Sequence, residues 1–96
     1  MRRFFVVHGT VQGVGYRGFV KGLAVKNGIS GFVRNHENGS VEVFAQGSEE
    51  AIARFRKGIE IDVRQGPQVF SVEEYREGEE GFQKAAQEHE GFSIEE

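Results

Sequence analysis

Residues 29–46 read ISGFVRNHENGSVEVFAQ, two apolar runs on either side of Asn38-Gly39. Asn-Gly is the strongest short hairpin signal, because both residues readily take the positive φ of a tight turn. Ile29–Asn35 and Ser40–Gln46 are therefore expected to be antiparallel strands closed by the loop His36-Glu37-Asn38-Gly39. In the second strand Val41, Val43 and Ala45 alternate with Glu42, the period of a strand with one buried face. On that reading Phe44 points away from the Val41/Val43 face. It either packs against helices or lies exposed, according to which face is covered.

Working outward, Tyr16, Phe19, Val20, Leu23 and Ala24 fall at helical spacing ahead of the hairpin, with Lys21 and Lys26 on the other side. Asn27-Gly28 ends that helix. Before it, Arg3–Thr10 reads as a Phe/Val-rich strand, joined to the helix by the glycine-punctuated loop Gln12–Gly18. After the hairpin, Gly47-Ser48-Glu49-Glu50 opens a second helix, capped by Ser48 and with both glutamates at the positive end of its dipole. Ile52, Phe55 and Ile59 form its buried stripe, and Arg54, Arg56 and Lys57 suit its last turn. The chain turns at Gly66-Pro67, Val69–Arg76 is a fourth strand, and Phe92-Ser93-Ile94 is a short final one. Glu77–Gly91 is a solvated excursion in which Phe82, Ala85, Ala86 and His89 suggest a short helix. The order β-α-β-β-α-β, with a short extra C-terminal strand, is that of a ferredoxin-like α/β sandwich. This is an α+β fold with a mainly antiparallel sheet and two helices on one face.

The chain of 96 residues is expected to be a single domain spanning 1–96. Nine Phe, two Tyr and no Trp make a small core affordable, and fourteen Gly with one Pro suit tight turns rather than disorder. The absence of Cys removes disulfides, thiolate nucleophiles, zinc ribbons and iron–sulfur ligation. No apolar run approaches the ~20 residues of a membrane span, and Met1-Arg2-Arg3 is not followed by a signal-peptide core, so a soluble cytoplasmic protein is expected. The net charge of −3 is unevenly spread. Residues 1–72 carry ten Lys+Arg against six Asp+Glu, and residues 73–96 carry two against nine. The first part attracts a small anion and the second repels nucleic acid.

Gly13-Val14-Gly15-Tyr16-Arg17-Gly18 fits G-x-G-x-x-G between a strand and a helix. Dinucleotide binding does not follow, because the next strand enters a hairpin and the length leaves no room for a Rossmann sheet. The physics beneath the motif still applies. Glycines let backbone N–H groups converge, the helix N-terminus adds positive charge, and Arg17 supplies a planar fork of donors suited to phosphate. The plain alternative is a glycine-rich turn with a surface arginine.

HGTVQGVGYRGF (His8–Phe19), followed by GFVRNHENGSVEVFAQG (Gly31–Gly47), resembles the acylphosphatase family. The first block matches its strand-to-loop signature and the second its Gly-aromatic-Val-basic-Asn and Gly-x-Val pattern. Gly66-Pro67 and Phe92-x-Ile94 extend the resemblance weakly over the chain. The resemblance implies a hydrolase that cleaves small acyl phosphates to a carboxylate and orthophosphate, with no metal and no cofactor. It assigns phosphate binding to Arg17 and to the backbone amides of Gln12, Gly13, Val14, Gly15, Tyr16 and Arg17, and it gives Asn35 the holding of the attacking water. Three departures stand out: Tyr16 where the family usually has Phe or Met, a longer and more acidic stretch over residues 77–90, and Glu95-Glu96 where many relatives end in an aromatic.

The remaining titratable residues read more plainly. His8 suits a structural role at a strand end, and His36 and His89 lie in segments expected to be exposed, with no metal-ligand spacing. Asn35 beside a hairpin can also simply satisfy backbone groups. A second class of function is a non-catalytic phosphate- or RNA-binding module. RNA-recognition motifs share this element order, and Gly31-Phe32-Val33 echoes their aromatic strand, but the flanking basic and aromatic positions are missing. A third reading is the N-terminal part of a larger carbamoyl-transfer maturation factor, a protein that continues into cysteine zinc modules; no Cys is present here. The leading expectation is an acylphosphatase acting as a monomer on a small-molecule acyl phosphate, with inorganic phosphate as product and neither nucleic acid nor membrane as partner.

Overall fold

The computed structural model describes residues 1–82 and 91–95. Its elements run β1 (Arg2–Thr10), α1 (Tyr16–Lys26), β2 (Ser30–Asn35), β3 (Val41–Gln46), α2 (Glu49–Ile59), β4 (Gln68–Arg76) and β5 (Phe92–Glu95). They form one sheet in the order β4-β1-β3-β2-β5. β1 pairs antiparallel with both β3 and β4, β2 pairs antiparallel with β3, and β5 alone runs parallel to its neighbour, β2. This is the expected ferredoxin-like sandwich, extended at one edge by β5. The helix suggested over Phe82, Ala85, Ala86 and His89 lies outside the described residues except for Phe82. Among the described residues no helix is long and apolar enough to cross a membrane.

Alternation along the strands divides the apolar residues into two cores. Phe5, Val7, Val33, Val41, Val43 and Ala45 face the helices, where they meet Val20, Ala24, Ile52, Phe55 and Ile59. Phe55 is the hub of this layer, its ring centroid 6.2 Å from those of both Phe5 and Phe92. On the opposite face Phe4, Phe32 and Phe44 form a second cluster, with Val6, Tyr75 and Phe82 packed against it. Register brings these rings together, since Phe44 is the partner of Phe4 on one side and of Phe32 on the other. Phe32 and Phe44 stack at 5.8 Å, and Phe82 meets Phe44 edge-on at 6.1 Å.

β3 is therefore buried on both faces, not on one. Even Glu42 is only 6% exposed, its carboxylate accepting a 2.8 Å bond from Arg34 Nε. The Arg34 guanidinium in turn lies 4.9 Å from the Phe32 ring centroid, so it neutralises the carboxylate and shields the aromatic cluster together. The alternation of Val41, Val43 and Ala45 marked one buried face correctly; the second became buried because a bulky residue stood at every contact position behind it.

The helices begin differently. α2 has Ser48 as N-cap, its hydroxyl oxygen accepting from Ala51 N at 3.1 Å, with Glu49 and Glu50 in the first turn. The helix thus satisfies its own N-terminus. α1 starts from Gly15 at φ 80°, with no side-chain cap and no acidic residue in its first turn. The two helices are tied together by Tyr16, which is 1% exposed and donates from its hydroxyl to Ile59 O at 2.8 Å. Burial pushes the pKa of that phenol well above its ordinary value, so it stays a neutral donor. Tyr16→Phe keeps the ring but orphans the buried carbonyl of Ile59. We expect a loss of about 1–2 kcal/mol in urea unfolding, and an unchanged midpoint would show that the hydroxyl contributes nothing.

Candidate active site

β1 delivers the chain to the glycine-rich loop at the end of the sheet, and the loop turns directly into α1. Gly13 at φ 75° and Gly15 at φ 80° both occupy the left-handed region, and a Cβ at either would meet nothing within 4 Å. Backbone geometry, not crowding, is what requires glycine at these two positions. Left-handed residues interleaved in a loop turn successive N–H groups toward one side, the arrangement of an anion-binding nest. Because α1 lacks a cap of its own, its first amides add to this set.

The loop borders a pocket of about 190 Å³ lined by Val11, Gly13, Gly15, Tyr16, Arg17, Gly18 and Ile94. Of the residues singled out from sequence, Gly13, Gly15, Tyr16 and Arg17 meet there. Among the described residues, Gln12, Val14 and Asn35 do not line it. Val14 is partly buried against the helix-side core. Arg17 Nη1 donates to Glu95 O at 3.0 Å, so the end of β5 holds the guanidinium by one of its five N–H groups. Asn35 ends β2 two residues beyond Val33, on the helix side of the sheet where the loop and α1 also lie. Its Oδ1 is buried and has no hydrogen-bond partner among the described residues. A buried acceptor left without a partner in this way is unusual.

Residues 3–94 match the family model described as acylphosphatase. The chain belongs to the acylphosphatase family. A protein of Pasteurella multocida named acylphosphatase is 42% identical over 79 residues, covering 82% of this chain and 83% of that one. The crystal structure of the acylphosphatase from Bacillus subtilis is 33% identical, with each chain fully covered and a TM-score of 0.75. HypF of T. kodakarensis, at 23% identity and a TM-score of 0.80, shares the fold over 12% of its own length. That likeness is to a small part of a much larger protein, and it is one of fold.

Three features of this candidate site were not legible in the residues. The Gln12 side chain donates from Nε2 to His36 O at 2.7 Å and to Ser40 O at 2.8 Å, joining the loop to the β2–β3 hairpin. Glu95 contributes a main-chain carbonyl, which no side-chain motif reveals. Ile94, 42% exposed, becomes a wall of the pocket only because β5 lies parallel beside β2. Each depends on long-range pairing, for which the sequence offers no local signal.

His8 is excluded from this site by geometry. It shares the face of β1 that carries Phe4 and Val6, away from the helices, and its Nε2 lies 2.6 Å from Glu73 Oε2. Tyr75 donates from its hydroxyl to the other oxygen, Glu73 Oε1, at 2.7 Å. The hydrogen bond to His8, and then that to Tyr75, hold the Glu73 carboxyl below its ordinary value of 4.5. A depressed folded value means that the contribution to stability is present above the unfolded value and is lost as pH falls through the folded one. Between about pH 7 and pH 3 the urea midpoint of wild type should therefore fall further than that of Glu73→Gln. Equal falls would show that this exposed network adds no stability.

Proposed function

We propose that this acylphosphatase grips the phosphoryl group of an acyl phosphate with Arg17 and the backbone amides of residues 12–17, while Asn35 holds the attacking water. The observation that carries the reading is the start of α1, which has neither cap nor acidic residue and opens with Arg17 into the pocket. At about 190 Å³ the pocket is smaller than the ~300 Å³ or more typical of drug-sized ligands, and it suits a phosphoryl group and little else. One chain supplies every group invoked, so a monomer suffices.

The chemistry asks for no more than these groups. The substrate is a mixed anhydride whose leaving group is a carboxylate, of acid pKa near ~4, and it departs at neutral pH without a general acid. Water attacks phosphorus in line, its oxygen forming the new P–O bond as the bond to the acyl oxygen breaks and the carboxylate leaves with the electron pair. Arg17 and the amides neutralise charge on the equatorial oxygens as preorganised donors. The Asn35 carboxamide accepts from the water and orients it, but an amide has no useful basicity. The water's proton therefore passes to a phosphoryl oxygen or to solvent.

The open acceptor on Asn35 supports its role, and the placement of His8 on the far face supports a mechanism without histidine. The alternative of an RNA-binding sheet gains nothing from the fold. Phe4, Phe32 and Phe44 are 0–3% exposed beneath Phe82 and Arg34, so their rings are not offered to bases.

With EDTA present, wild type is expected to hydrolyse benzoyl phosphate at an undiminished rate. Arg17→Ala and Asn35→Ala should each lower kcat by about 10²-fold or more while remaining folded. Wild-type rates in both variants would remove the two residues from the mechanism. The pH–rate profile should be broad and flat across neutrality, and an inflection near ~6.5 would implicate a histidine and overturn the scheme.

A further inference from the structure

Asn35 must hold its water at a fixed distance and angle from phosphorus, yet its own Oδ1 has no partner that fixes the carboxamide. The backbone at the end of β2 sets where that carboxamide stands. There the chain passes Asn35, turns through His36 to Gly39, and returns at Val41, the register partner of Asn35. His36 N donates to Ser40 O at 2.9 Å and Gly39 N donates to His36 O at 3.0 Å, closing the neck of the hairpin.

The Gln12 side chain meets this neck at both of its carbonyls. Nε2 lies 2.7 Å from His36 O and 2.8 Å from Ser40 O, so both hydrogens of one amide are used. His36 follows Asn35 directly, and Ser40 directly precedes the register partner of Asn35. The opposite end of the same residue, its backbone, begins the phosphate loop. One side chain thus spans the group that holds phosphorus and the strand end that holds water.

We propose that the Gln12 side chain is a positioning residue for Asn35, setting the separation between the phosphate loop and the water-holding carboxamide. The proposal rests on the water-holding reading of Asn35 given above. Its physical basis is that a reacting atom displaced by about 1 Å, even by a change remote from the chemistry, can cost on the order of 10²-fold in rate. Both donors of the Gln12 side chain are taken by hairpin carbonyls, so the proposed effect travels through Asn35.

A double-mutant cycle tests this directly, using Gln12→Met, which keeps the length of the side chain and removes both donors, and Asn35→Ala. The readouts are kcat and KM for benzoyl phosphate, and the inhibition constant of inorganic phosphate as a probe of the loop alone. Gln12→Met is expected to lower kcat about tenfold or more and to leave the phosphate inhibition constant within about twofold of wild type. In the Asn35→Ala background the same substitution should lower kcat no further. The proposal is overturned if Gln12→Met lowers kcat equally in both backgrounds. It is equally overturned if phosphate affinity falls in step with kcat, which would make Gln12 a support of the loop itself. If Gln12→Met fails to fold at the assay temperature, the same cycle is read with Gln12→Ala. Should Asn35→Ala alone keep the wild-type kcat, the water-holding reading fails first, and that result is distinct from a failure of coupling.

Discussion

A helix that does not satisfy its own N-terminus is the constraint around which this molecule is arranged. The amides at the start of α1 have no side-chain acceptor, and the glycine at the N-cap sits in a left-handed conformation that turns them outward. Unpaired amides invite the loop to close upon them, and the fold prevents this from two directions. Tyr16 is anchored to the end of α2 through Ile59 O, and Arg17 is held by the end of β5. Preorganisation of this kind transfers the cost of an open donor set from the reaction to folding. α2, with its serine cap and two leading glutamates, is the internal contrast: a helix of equal length that leaves nothing for a ligand.

Much of this was legible in the chain. The Asn38-Gly39 turn, the strand periodicity on either side of it and the two amphipathic helices were enough for the element order, because each is a local signal. The left-handed glycines of the loop and the placement of Arg17 beside them could be anticipated for the same reason, since the conformational demands of glycine belong to single residues. What could not be read was every relation that joins distant segments. Glu42 and Phe44 gave no sign that the far face of the sheet would be covered, since that depended on Phe4 and Phe32 arriving in register. Gln12 looked like one more loop residue, because the two carbonyls that it binds lie 24 and 28 positions away. Asn35 was ambiguous for a related reason. A hairpin asparagine commonly satisfies backbone groups, and only the folded chain shows its oxygen buried and open.

The two faces of the sheet divide the labour. The helix side carries the glycine-rich loop, Asn35 and the pocket. The opposite side carries the aromatic cluster and the exposed His8–Glu73–Tyr75 network. Titratable side chains on the second face therefore lie behind a sheet from the pocket. A strand with both faces buried, β3, is what makes the separation rigid.

The bond that steadies Arg17 comes from a main-chain carbonyl. A carbonyl is present whatever side chain stands at the position, so the contact is blind to the identity of residue 95. Drift at that position, even to the opposite charge, leaves the anchor standing. What it does not survive is a change in how far β5 extends or in its pairing with β2. The arginine is thus insured against point mutation in the strand that holds it and vulnerable to deletion there, and variation among related chains should be free in composition and restricted in length.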